Sequence, residues 1–171
     1  MLKRFFIIIL LYAFCIDGAF AHITLEQKSA EAGSEYTAVF RVPHGCDGSA
    51  TTGITVFLPI GIDDARPVVK EGWSLSQKTE KLDKPYVAHG TPIAERVAQV
   101  SWSGGHLGGM EYGEFVIRMS LPDAPGKRAF HVLQQCEEGQ NDWAGVLLEG
   151  QPKPLLPAPV LEITPATPRV K

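Results

Sequence analysis

Between Gly113 and Pro122 apolar residues recur with a period of two: Phe115, Ile117, Met119 and Leu121 fall on one side of an extended chain. That spacing suits a pleated strand with one buried face. It does not suit a helix, whose apolar positions recur every three or four residues. The same pattern returns at Tyr36, Ala38, Phe40 and Val42, and at Ile54, Val56 and Leu58, where Pro59 and Gly61 end it. Ala98, Val100 and Trp102 line a further strand, which the pair Gly104-Gly105 is expected to stop. Shorter candidates lie at 23–25, 73–78, 129–134 and 160–163, and no internal repeat is visible. The 13 prolines and 17 glycines suit connections between strands better than helix interiors. The pattern predicts an all-β chain folded as a single antiparallel β-sandwich of the immunoglobulin or cupredoxin type. Residues 147–159 are Pro-rich and expected to lie extended across the surface, and 164–171 to form a flexible tail.

The first residues read as an export signal. Lys3 and Arg4 precede an apolar run over 5–16, and Ala19-Phe20-Ala21 offers the small residues at which a signal peptidase cuts. The run is shorter than the roughly 17 apolar residues that a membrane span needs. Residues 1–21 are therefore expected to be removed, leaving a domain over 22–163 that begins with His22, is periplasmic or secreted, and has no transmembrane segment. Without Lys3, Arg4 and Asp17 the chain holds 14 basic and 18 acidic residues, a net charge of −4. That balance argues against nucleic acid or an anionic membrane surface as the main partner. Cys46 and Cys136 remain after processing, and an even pair in an oxidising compartment is expected to form a disulfide. Because Cys136 precedes Trp143 by seven residues, such a bridge would draw the loop that carries His44 toward Trp143.

An N-terminal histidine is a chelator, since its α-amine and its own Nδ1 can hold one metal together. The amine has an ordinary pKa near ~7.7 and gives up its proton at little cost. Nitrogen donors of this kind suit Cu(II). Trp143 lies in Gln140-Asn141-Asp142-Trp143-Ala144-Gly145, which reads as a polar turn, so its indole is expected either to cover a site or to pack over the edge of the sandwich. Trp73 and Trp102 read as packing residues. His106 and Met110, in a glycine-rich loop, are one nitrogen and one soft sulfur of a Cu(I) type but have no further partner. His89 and His131 have no partner in sequence. The close Cys-His-Met cluster of an electron-transfer cupredoxin is missing.

An ordered set of short motifs surrounds His22. It runs through His22-Ile23-Thr24-Leu25, Ala32-Gly33-Ser34, Arg41-Val42-Pro43, Ala50-Thr51-Thr52 and Leu58-Pro59-Ile60-Gly61. It continues through Gly72-Trp73, Val100-Ser101-Trp102, Gly113-Glu114-Phe115 and Leu121-Pro122 to Trp143. In this the chain resembles the YcnI-like family of secreted copper-binding domains over most of its length after residue 21. The resemblance implies a β-sandwich that holds Cu(II) through one N-terminal histidine, completed by a carboxylate and with a tryptophan close by. The histidine corresponds to His22 and the tryptophan to Trp143. The carboxylate has no clean counterpart: where the family carries a glutamate shortly after Val-Pro, this chain reads His44-Gly45-Cys46-Asp47.

His44 is then the candidate third ligand, with Asp47, Glu26 and Glu35 as carboxylate alternatives. The function so implied is copper buffering, delivery or homeostasis, without catalysis and in exchange with a periplasmic or membrane copper-handling protein. With His44 bound, the ligand set would match that of copper monooxygenases with a histidine brace, so an enzyme is the second expectation. A metal-free adhesion or assembly domain is the third, since sandwiches host many functions.

Overall fold

The computed structural model describes residues 22–62, 64–88 and 91–167, so residues 1–21, which were expected to be an export signal, His89 and residues 168–171 lie outside it. The described chain contains no helix and is built from strands β1 (Thr24–Leu25), β2 (Ser29–Glu31), β3 (Glu35–Val42), β4 (Thr51–Phe57), β5 (Ala65–Pro67) and β6 (Ser74–Ala88). β7 (Thr91–Leu107), β8 (Gly113–Ser120), β9 (Gly126–Ala129), β10 (His131–Cys136), β11 (Gln140–Trp143) and β12 (Val160–Thr164) complete them.

One sheet has the order β1-β3-β8-β5, a second β11-β10-β4-β7-β6, and a small third β2-β12-β9. The alternations read from the sequence dictate how the first two meet. Tyr36, Ala38, Phe40 and Val42 of β3 and Phe115, Ile117 and Met119 of β8 turn inward, onto Ile54, Val56, Val100, Trp102 and Val132 of the other sheet. Edge-to-face rings lock the layers together, with Trp102 against Phe115 at 5.4 Å and Phe40 against Phe130 at 5.3 Å. The Trp102 indole N–H donates to the Val68 carbonyl at 3.0 Å, so burying this ring leaves no donor unpaired. The all-β sandwich expected from the pattern is what forms.

Several expectations need correction. Gly104-Gly105 does not stop β7, which runs on to Leu107. Instead the β4–β7 register shifts between Thr51 and Gly53, opposite this stretch. A Cβ on Gly105 would lie 2.1 Å from the Trp73 ring, so the glycine marks a bulge and a close approach to an aromatic side chain. The candidate at 129–134 is two strands, β9 and β10, parted at Phe130. Residues 147–159 lie largely on the surface, but the end of the segment is tied down. The Gly145 amide donates to Leu156 O at 3.0 Å and the Ala158 amide to Gly145 O at 2.8 Å, while Leu156 packs on the core. Thr164, placed in the tail by the sequence, ends β12, and its carbonyl accepts from the Ala32 amide at 2.9 Å.

Candidate metal centre

β1 runs antiparallel to β3 with Thr24 opposite Arg41. Continued back two residues, this register brings His22 level with Pro43, the residue before His44. The disulfide between Cys46 and Cys136, with Cα atoms 6.0 Å apart, fastens the loop that follows to the end of β10. Across from β10, β11 sets Trp143 opposite Val132. Trp143 is thus a strand residue, 3% exposed, and neither in a turn nor a surface aromatic. Three distant pieces of sequence meet here because one register, one disulfide and one strand pair oblige them to.

At this meeting point the His22 and Trp143 rings stand edge to face, centroids 5.8 Å apart at 68°. His22 Nδ1 is buried and has no hydrogen-bond partner. Burial, then the charges of Lys153 and His44, hold the His22 imidazole below its ordinary pKa of 6.5, so it is neutral and its lone pair is available at neutral pH. His44 Nδ1 donates to the Gly45 carbonyl at 2.6 Å, and since a carbonyl only accepts, this nitrogen carries the proton. In the neutral ring Nε2 is then the nitrogen with a free lone pair. The charge of His44 is felt at His22, and imidazole nitrogens are donors of the kind that suit Cu(II).

Two of the carboxylate candidates are engaged in other contacts and the third is exposed. Glu26 pairs with Arg41, which also reaches Glu114 at 3.5 Å. Glu35 starts β3, about 23 Å from Val42 at strand rise, and accepts from the Ser120 hydroxyl at 2.7 Å. Asp47 is exposed at the tip of a two-residue hairpin turn. Its φ of 48° and the 89° of Gly48 are the mirror-image turn that Asp-Gly favours, closed by the Cys46 and Ser49 amides and carbonyls at 3.1 and 2.8 Å. Among the described residues no three His, Cys, Asp or Glu side chains form a ready-made metal cluster.

Two residues absent from the sequence reading belong to this region. Gln134 of β10 is fully buried: its Oε1 accepts from Trp143 Nε1 at 3.0 Å, and its Nε2 donates to His44 O at 2.8 Å and to Thr51 Oγ1 at 2.9 Å. The signal was present, since Gln134 continues the inward face of Val132, where a polar residue needs a partner. Lys153 shares with His22 a groove of about 220 Å³ that Leu25, Pro157 and Val160 also line. Nothing in its local sequence marks it.

His106 and His131 stand apart. His106 contacts Glu137 at 3.3 Å on a cleft of about 830 Å³ that none of His22, His44 and Trp143 lines, and Met110 is 92% exposed. His131 stacks on Phe57 at 4.3 Å and pairs with Asp142 through Nε2.

The family DUF1775, described as a domain of unknown function, matches residues 22–163. A solved structure of an uncharacterized protein from Nocardia farcinica, said to reveal an immunoglobulin-like fold, is similar at 26% identity with a TM-score of 0.64. The match covers 83% of this chain and 97% of that one. The immunoglobulin-like fold expected from the strand pattern is thus shared with a solved neighbour. No curated protein matches the chain.

Proposed function

The chain belongs to the DUF1775 family, and on that premise we propose that it is an exported Cu(II)-binding protein whose metal is held at His22. The observation that carries the reading is the buried, unpartnered Nδ1 of His22, packed against Trp143. Cleavage after Ala21 frees the α-amine, which joins Nδ1 as a chelating pair, and His44 supplies a third nitrogen through Nε2. Trp143 fills one side of the imidazole and limits access to it, which favours holding copper over redox turnover. The protein is a carrier in the periplasm or outside the cell, serving copper buffering, delivery or homeostasis with a membrane or periplasmic copper-handling partner. The YcnI-like motifs around His22 support the same reading, and His44 distinguishes this chain by standing where that family places a carboxylate.

Electron paramagnetic resonance of the processed protein loaded with one equivalent of Cu(II) tests this. The expected spectrum is nitrogen-rich, and His44→Ala should reduce the nitrogen hyperfine structure while binding persists. Sustained oxygen or peroxide turnover by the loaded protein would contradict the carrier role.

A further inference from the structure

A glutamine amide wholly removed from water is costly unless its donors and acceptor are matched. Gln134 meets that condition through groups of the candidate site: the Trp143 indole and the main chain of His44, with the Thr51 hydroxyl as third partner. Both amide protons and one carbonyl lone pair are used. The Trp143 indole is tied at its Nε1 edge into the core while the ring as a whole stands against His22. The His44 carbonyl is held from the same amide, two residues before the disulfide at Cys46. Gln134 itself lies two residues before the other half of that disulfide, Cys136. Trp143, His44 and β10 are therefore one braced unit, and the amide is its only link running directly from the indole to the His44 backbone among the described hydrogen bonds.

We propose that Gln134 is the positioning residue of the site. Its side-chain amide clamps Trp143 against His22 and fixes the His44 main chain, so that the ligands stand in place before metal arrives. This rests on the copper reading above. It assigns a role to a residue that touches neither metal nor ligand nitrogen, in the way that outer-shell hydrogen bonds orient the ligands of other metal sites. The apolar substitution Gln134→Met keeps most of the volume and removes every one of these bonds.

The test uses the processed chain with its disulfide intact. In the metal-free wild type the indole proton of Trp143 should exchange slowly with solvent, and in Gln134→Met it should exchange fast and shift. With Cu(II), Gln134→Met should bind one equivalent roughly tenfold more weakly and with altered hyperfine splitting. Trp143→Phe should shift the spectrum similarly, and the double variant should add little to either, because both changes break one unit. An unchanged spectrum and affinity in folded Gln134→Met, or additive effects in the double variant, would overturn the assignment. Should Gln134→Met not fold, fast exchange of the Trp143 indole proton in the wild type alone would overturn it. A wild type that keeps this protection yet takes up no copper would defeat the functional reading and leave the clamp standing.

Discussion

On the proposed copper reading, His44 and His22 contribute differently at the residue scale. His22 offers an unpaired nitrogen but only one side chain, and His44 supplies a second imidazole whose tautomer the Gly45 carbonyl has already chosen. His44→Ala should therefore weaken Cu(II) binding measurably by calorimetry without lowering thermal stability by more than about 1 kcal/mol, since its side chain bonds only its neighbour's carbonyl. A large loss of stability would mean that His44 is structural. Tyr36 offers an independent check on the packing. Burial, reinforced by the Glu26 carboxylate, raises its pKa from 10.0 to about 12, and its hydroxyl donates to Gln27 O at 2.5 Å. Because the folded pKa is raised, the stability it contributes is complete below pH 10 and is lost as pH climbs toward 12. Chemical denaturation between those values should show the decline, and Tyr36→Phe should flatten it.

Elements with two or more alternating apolar side chains on the inward face were legible, and those without them were not. β3 and β8 announce themselves because every second side chain enters the core. The outer halves of β6 and β7 form a long paired arm with residues 83–87, 92 and 94–95 exposed, so no alternation marks them. β2 and β5, at three residues each, are too short to show a period. The Gln140–Trp143 strand was missed because its only apolar side chain is Trp143 and polar residues precede it. At Gly145 the backbone of the returning segment comes so close that a Cβ would lie 2.5 Å from Pro154 and 2.9 Å from Leu156 O. Gly145→Ala should cost about 1–3 kcal/mol in denaturant unfolding and raise hydrogen exchange at Gly145 and Ala158. The disulfide closes a loop of 90 residues, and replacing both cysteines by alanine should cost as much as roughly 4–5 kcal/mol. Retention of full stability in that variant would remove the bridge from the account.

On the scale of the whole molecule, the sandwich sets His22 against residues distant in sequence. β1 pins Thr24 and Leu25, just after His22, along β3, the disulfide fastens the His44 loop to β10, and β11 returns Trp143 to face His22. The sequence alone could name these three residues because the chemistry of histidine and the YcnI-like motifs point to them. Gln134 was legible only as a polar residue on an inward face, since its partners Trp143, His44 and Thr51 are distant in sequence, and Lys153 is brought beside His22 only by the fold. The account stands on the free amine of His22, and the direct test is calorimetric Cu(II) titration of two proteins: one beginning at His22 and one carrying a single residue ahead of it. Tight one-to-one binding by the first, weakened by orders of magnitude in the second while both fold alike, is the predicted result. Equal binding by the two, or none by either, would contradict it.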